Sequence, residues 1–201
     1  RYKGTFKDDK PVGKFLYYYE TGEIQTVMVY RKDGSSYTEM YHQSGRIMSK
    51  GKYVNQERDS IWYFFDDRGV LSYQETYKAG ELNGQKVVYY APVDGQYRVM
   101  ESTYYKNGIK HGEHKEYYQT TRLKSECHFV DGNINGVKKY YYSSGKLERI
   151  ERYKYATRHG IWIYYNEKGI KEGLIVYWEG MLLEGAEAES AKQKFKEEAG
   201  N

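Results

Sequence analysis

A short pattern of small and aromatic residues recurs seven times along this chain. Each copy opens on a small residue, and successive openers are separated by 23, 24, 24, 28, 24 and 24 residues. The seven openers are Gly13, Ser36, Ser60, Gly84, Gly112, Gly136 and Gly160. A period of this size that stays nearly constant indicates a repeat array, in which each unit contacts mainly its neighbours.

The residues inside each copy are typical of two short strands joined by a tight turn. An aromatic residue stands five positions after every opener: Tyr18, Tyr41, Phe65, Tyr89, Tyr117, Tyr141 and Tyr165. A turn glycine follows four residues later in most copies, as at Gly22 and Gly145, and another aromatic residue closes the copy. Segments of about six to nine residues between glycines suit strands and are short for helices. Consecutive hairpins joined by short loops pair side by side.

The sequence therefore predicts an all-β fold, an elongated single-layer antiparallel β-meander of tandem hairpin repeats with a short C-terminal helix. We expect residues 1–185 to form the array, with about seven hairpin repeats and partial units at its ends. Residues 186–201 have high helix propensity, and an apolar stripe recurs there at helical spacing. The stripe consists of Ala188, Ala191, Phe195 and Ala199. A loosely ordered tail is the alternative for this segment.

The composition favours a thin sheet over a thick aliphatic core. The chain has 26 tyrosines and six phenylalanines, and tyrosine can bury its ring while its hydroxyl stays in water. A net charge of +4 arises from 32 basic and 28 acidic residues dispersed along the chain, so we expect no nucleic-acid partner. A single cysteine, Cys127, cannot form an internal disulfide.

The repeats resemble those of the MORN family. A Tyr-x-x-Gly-x-x-x-Gly pattern followed by an aromatic pair carries the resemblance, most clearly over residues 105–118 and 129–142. The period near 24 residues and the closing tyrosine look most like the bacterial variant known as YwqK-like antitoxins. This resemblance implies an interaction or assembly module, and its relatives have been linked to membrane phospholipids, to cell-envelope proteins and to antitoxins.

The aromatic residues are the candidate binding residues of the chain. The row five positions after the openers lies on one side of the predicted sheet, and a second set lies on the other side. That second set, our candidate partner-binding surface, consists of Phe15, Tyr17, Trp62, Phe64, Tyr140, Trp162 and Tyr164. Exposed tyrosine and tryptophan commonly anchor protein interfaces. A strongly curved sheet that buries both rows is the structural alternative.

The sequence shows no grouping of nucleophile, base and orienting residue, so we expect no catalytic residue, no cofactor, no metal site and no small-molecule substrate. Cys127 and His128 are adjacent on a strand and should face opposite sides of the sheet. Glycines spaced by the hairpin repeat also do not precede a helix, as a phosphate-binding loop requires.

We therefore expect a non-enzymatic scaffold that binds one or more proteins, within a larger bacterial cell-envelope complex. Two alternatives stay open: a module that contacts membranes or anionic lipids, indicated by Lys106, Lys110, Lys138 and Lys139, and an antitoxin-like partner of a toxin. The chain begins with Arg1 rather than methionine, which we interpret as processing. This favours the periplasm or envelope, with the cytoplasm as the alternative.

Overall fold

Antiparallel β-structure dominates the protein. The computed structural model describes residues 1–199, which form 18 strands in one open sheet and a single short helix at the C-terminal end. Strands that are neighbours in sequence pair with one another, as in β-meanders. The prediction of an all-β antiparallel meander with a C-terminal helix is confirmed.

The chain divides into two compact units. The first contains residues 1–98 and 105–108. Its strands are β1 Tyr2–Lys7, β2 Lys10–Tyr18, β3 Ile24–Tyr30, β4 Ser36–Tyr41, β5 Ile47–Val54, β6 Glu57–Phe65, β7 Leu71–Lys78 and β8 Glu81–Tyr89. The next strand, β9 Val99–Lys106, is divided between the two units.

The second unit contains residues 99–104 and the chain from Ile109 onward. Its strands are β10 Ile109–Tyr117, β11 Leu123–Val130, β12 Asn133–Ile134, β13 Gly136–Tyr141, β14 Leu147–Lys154, β15 Thr157–Arg158, β16 Gly160–Tyr165, β17 Lys171–Trp178 and β18 Met181–Leu183. Helix α1 covers Gly185–Ala199. The division of the chain at residue 185 stays a prediction.

In six hairpins the opener pairs with the closing aromatic residue. Gly13 lies opposite Tyr30, and Ser60 lies opposite Tyr77. The turn at the far end is closed by backbone hydrogen bonds, as where the amide of Tyr142 donates to the carbonyl of Lys146 at 2.8 Å. Gly145 within that turn has a φ of 89°, a conformation that glycine adopts without steric cost. The turn glycines therefore have the role that the spacing predicts.

A β-bulge near the turn changes the side of the sheet to which the closing strand points. In the first hairpin Tyr17 pairs with Thr26 and Tyr18 pairs with Ile24, so Gln25 is an extra residue on β3. The same irregularity recurs in other hairpins, including the step from Phe64 to Phe65. Because directly opposed residues share a face, the bulge places Ile24 with Tyr18 rather than with Thr26.

The two serine openers behave differently from each other. Ser60 adopts a φ of 61°, in the left-handed region that glycine occupies at Gly13 with a φ of 70°. Ser36 has no positive φ, and its side chain is buried. Only the second repeat therefore begins with ordinary extended backbone among the openers of the described residues.

Helix α1 packs against the last strands of the second unit. Val176, Ala188 and Ala191 form a buried cluster, and Phe195 and Trp178 pack against it. Three residues of the predicted apolar stripe, Ala188, Ala191 and Phe195, thus lie on the side of the helix that packs against the sheet. The side chain of the fourth, Ala199, lies outside the described residues. Within residues 1–199 no helix is both long enough and apolar enough to cross a membrane.

Candidate partner-binding surface

The pairing pattern sorts the aromatic residues onto two sides of the sheet. In each unit we call the side that carries the residues two and four positions after an opener the tryptophan face, and the other side the outer face. Trp62 and Phe64 lie on the tryptophan face of the first unit, and Trp162 and Tyr164 lie on that of the second. All seven candidate residues belong to this face.

Three of the seven candidates are core residues. Phe15, Trp62 and Trp162 are 1%, 0% and 8% exposed. The indole of Trp62 donates to the carbonyl of Lys52 at 3.0 Å and packs edge-on against the ring of Tyr53, with the ring centres 4.9 Å apart. These three side chains hold the strands together and offer almost no surface to a partner.

The other four candidates, Tyr17, Phe64, Tyr140 and Tyr164, are half-buried. Phe64 stacks on Tyr73 with ring centres 4.5 Å apart and planes inclined by 14°. The guanidinium carbon of Arg149 lies 3.4 Å from the ring centre of Tyr140, within cation–π range. Packed rings of this kind are fixed before any partner arrives. Whether the seven residues bind a partner stays a prediction.

The aromatic row five positions after the openers lies on the outer face with its hydroxyls engaged. Tyr41 donates to Oε2 of Glu39 at 2.6 Å, and Tyr141 donates to Oε1 of Glu126 at 2.7 Å. Burial, together with these hydrogen bonds, raises the pKa of both tyrosines to about 12. Their hydroxyls therefore stay neutral at physiological pH.

Tyrosines at the hairpin turns connect one repeat to the next. Tyr118 donates to the carbonyl of Tyr141, and Tyr142 donates to the carbonyl of Tyr165, both at 2.7 Å. Tyr19 makes the same contact with the carbonyl of Tyr41 in the first unit, at 2.8 Å. These hydroxyls satisfy carbonyl groups at the hairpin ends, which contributes to stability rather than to binding.

Sequence reasoning missed a row of complementary pairs between repeats. We call them junction pairs: the residue two positions after an opener and the residue that faces it from the preceding repeat. Trp62 covers Gly51, while Lys86 donates to Oε1 of Glu75 at 2.8 Å. The two members lie 11 residues apart in both pairs. This constant offset is the sequence signal from which the junction pairs could have been predicted.

The junction pair of the fifth repeat is a buried histidine with a threonine. Oγ1 of Thr103 lies 2.8 Å from Nδ1 of His114, and the carboxylates of Glu101 and Glu116 lie 3.8 Å from the imidazole nitrogens. Burial lowers the pKa of His114, an effect that the two carboxylates partly oppose. The imidazole therefore favours its neutral form.

Cys127 faces His114 rather than His128. The two are opposite each other on β10 and β11, whereas His128 is paired with Glu113 on the outer face. The expectation that Cys127 and His128 point to opposite sides agrees with this register. Burial raises the pKa of the Cys127 thiol, which makes it a poor nucleophile. Within residues 1–199 no group of three or more potential ligands is arranged to hold a metal ion.

Two of the four lysines that suggested a lipid surface, Lys138 and Lys139, lie on opposite faces of the sheet. Lys138 lies on the tryptophan face with its ammonium 4.8 Å from the ring centre of Tyr140. Lys139, on the outer face, is 3.7 Å from a carboxylate oxygen of Glu126. Adjacent strand residues point to opposite sides of a sheet, so their charges do not add at one surface.

A groove runs across the tryptophan face of the first unit between Phe15 and Trp62. It has a volume of about 480 Å³. Its lining consists of Pro11, Tyr17, Gln25, Thr26, Met28, Tyr30, Gly34, Ser36, Thr38, Met40, Tyr53 and Gln56. The volume falls within the range of about 300–1,000 Å³ that small-ligand sites occupy. Of the seven candidates, only Tyr17 lines it.

Comparison with known proteins supports the interpretation of the repeat. The MORN repeat variant matches at two places, residues 11–32 and residues 134–155. Each match covers one whole hairpin, from Gly13 to Tyr30 in the first case and from Gly136 to Tyr153 in the second. No curated protein matches the chain. MORN repeats generally serve as protein or membrane interaction modules and form a non-catalytic repeat family. The chain therefore contains MORN repeat variants at the first and the sixth of its seven repeats.

Proposed function

We propose that this protein is a non-enzymatic scaffold that binds other proteins through its tryptophan face. The observation that carries the proposal is a set of half-buried aromatic rings on the face that also carries buried rings. The half-buried rings are Tyr17, Phe64, Tyr140 and Tyr164, and the buried ones are Phe15, Trp62 and Trp162. Rings held in place by packing lose little conformational entropy when a partner covers them. Aromatic residues are enriched among those that contribute most to binding.

The absence of catalysis is part of this proposal. The two groups best suited to nucleophilic chemistry on this face, His114 and Cys127, are buried, and their pKa values shift toward the neutral forms. A neutral buried thiol is a poor nucleophile. A bacterial cell-envelope complex is the setting that we propose on the sequence interpretation alone.

Site-specific photo-crosslinking tests the proposal. The photoreactive residue p-benzoylphenylalanine replaces Tyr17 or Tyr164 on the tryptophan face and, as matched controls, Tyr41 or Tyr141 on the outer face. We expect the same protein to be crosslinked, in cells that express the chain, from both tryptophan-face positions and from neither control. Equal crosslinking from the two faces, or none from Tyr17 and Tyr164, would refute the proposal.

The lipid-binding and antitoxin alternatives have less support. The opposite orientation of Lys138 and Lys139 weakens the first, and the second depends on the resemblance alone. A flotation assay tests the first alternative by comparing vesicles that contain about 30 mol% phosphatidylserine, an anionic lipid that attracts basic surfaces, with neutral vesicles. We expect no difference between the two.

A further inference from the structure

The groove of the first unit differs in charge from the rest of the protein. Charged residues make up 30% of the chain, yet none of the twelve residues that line the groove is charged. Its lining instead combines tyrosine rings with the thioethers of Met28 and Met40. Methionine sulfur makes favourable contacts with aromatic rings, and its unbranched side chain adapts to what it covers. The groove therefore suits an uncharged, ring-shaped group.

One hydroxyl in the groove has no hydrogen-bond partner. Thr38 is 1% exposed, and its Oγ1 makes no hydrogen bond within the described residues. A buried polar atom without a partner costs about 1–3 kcal/mol, so a structure rarely retains one without a reason. A rotation of the flexible side chains of Met28 or Met40 would open the hydroxyl to a bound group.

The neighbouring repeats show which group fits this row of the sheet. Phe15 stands two positions after the first opener and Trp62 two positions after the third, and both are buried. At the same position of the second repeat stands Thr38, paired with Met28. The row thus contains aromatic rings on either side of a groove and none within it. Where an indole is present, its nitrogen donates to an oxygen, as Trp62 does to Lys52.

We propose that this groove binds the indole of a tryptophan side chain that an extended segment of a partner protein supplies. The indole lies between Met28 and Met40 and donates its N–H to Oγ1 of Thr38. This inference rests on the proposed function, because the indole belongs to a partner bound on the tryptophan face. It adds the chemistry that the partner must present there, and the place where it binds.

Methyl-selective NMR tests the ring site directly. The chain contains five methionines, of which Met28 and Met40 line the groove and Met48, Met100 and Met181 do not. With methionine methyl groups labelled with ¹³C, we titrate the whole chain with N-acetyl-L-tryptophanamide. We expect saturable ring-current shifts at Met28 and Met40 only. Absent shifts, or equal shifts at all five methyl groups, would overturn the proposal.

The variant Thr38→Val tests the role of the hydroxyl at nearly constant side-chain volume. We expect it to weaken binding of N-acetyl-L-tryptophanamide about three- to tenfold, as the loss of one hydrogen bond does. It should leave unchanged the binding of the 2-naphthylalanine analogue, which has no N–H. Thr76→Val, on the outer face of the same unit, is the matched control and should change neither. An equal loss of affinity for both ligands would contradict the proposed hydrogen bond to Thr38.

An extended peptide with one central tryptophan separates a protein partner from a free ligand. If the proposal holds, the peptide shifts the Met28 and Met40 methyl groups, and its tryptophan→alanine form does not. If N-acetyl-L-tryptophanamide binds but the tryptophan-containing peptide does not, the assignment to a partner protein is overturned. Face-selective crosslinking without any shift at Met28 and Met40 would leave the scaffold function standing and overturn the indole site. Shifts without crosslinking would support the ring site and remove the scaffold function.

Discussion

The indole of Trp62 lies directly over Gly51, so close that a Cβ atom at position 51 would stand 2.3 Å from the ring. Trp62 is fully buried, so it cannot move aside without displacing its neighbours. Gly51 has no positive φ, so its role is to leave space rather than to permit an unusual backbone conformation. In this junction pair the indole ring occupies the space that a side chain at position 51 would need.

We expect Gly51→Ala to destabilise the protein by about 1–3 kcal/mol, because overpacking forces buried groups to shift. Chemical denaturation monitored by tryptophan fluorescence measures the change. Gly173→Ala is the control, since a Cβ there meets nothing within 4 Å and the backbone has no positive φ. Similar losses in the two variants would contradict the packing argument.

Glycine substitutions at the two serine openers should have opposite effects on stability. Ser60 has a φ of 61°, which is strained for a residue with a Cβ, so Ser60→Gly should stabilise the protein by about 0.5–1 kcal/mol. Ser36 has ordinary backbone, so Ser36→Gly should destabilise it by about the same amount. Thermal unfolding of the two variants checks the signs. A common sign would show that the backbone conformation does not decide the outcome.

The ion pair between Glu75 and Lys86 should be worth more than an exposed one. Burial acts to lower the pKa of Lys86, and the carboxylate of Glu75 acts to raise it, with a net rise. Lys86→Met leaves a buried carboxylate without its cation, so we expect a loss of about 1–3 kcal/mol. Adding Glu75→Gln should recover part of that loss, which urea denaturation of the double-mutant cycle measures.

Lys115 is the matched control for this prediction. Its ammonium lies 2.9 Å from a carboxylate oxygen of Glu113, whose side chain is 72% exposed. Exposed ion pairs contribute about 0–1 kcal/mol, so Lys115→Met should change stability little. A loss as large as that of Lys86→Met would show that burial does not set the difference.

Acidification should destabilise the second unit through His114. The pKa of this histidine is lowered in the folded chain from its ordinary value of 6.5, chiefly by burial. Below pH 6.5 the unfolded chain therefore binds a proton that the folded chain does not. Stability should fall as the pH drops from 6.5 to the folded pKa and should level off beneath it.

His114→Gln should remove this pH dependence. Urea denaturation of both proteins between about pH 5 and 8, the range in which histidine titrates, gives the difference in slope. Lys110, Lys138 and the carboxylates of Glu101 and Glu116 also act on the imidazole, and they remain in the variant. Equal slopes for the two proteins would contradict the prediction.

The hairpins could be predicted from the sequence, whereas the contacts between neighbouring hairpins could not. Local chemistry determines the turns: Asp131 and Gly132 have φ values of 47° and 82°, as their identities predict. The extra residue Gln25 left no such local mark, so the side of the sheet reached by Ile24 depended on a register that only coordinates reveal.

Burial of the candidate residues could not be predicted for a related reason. Trp62 and Phe64 lie on the same face two residues apart, yet one is fully buried and the other half-buried. The difference arises from what faces each ring across the strands. Gly51 leaves room beneath Trp62, whereas Phe64 stacks on Tyr73. A pattern of alternating residues specifies the face but not these contacts.

The junction pairs mean that the repeats are not interchangeable modules. Excision of one 24-residue period, from Ser60 to Asn83, would keep the strand count of every remaining hairpin intact. It would also bring Lys86 to the place of Trp62 over Gly51 and remove Glu75, the carboxylate that neutralises it. Length in this protein is therefore not freely adjustable by whole units, since each boundary fits only the neighbour that it has.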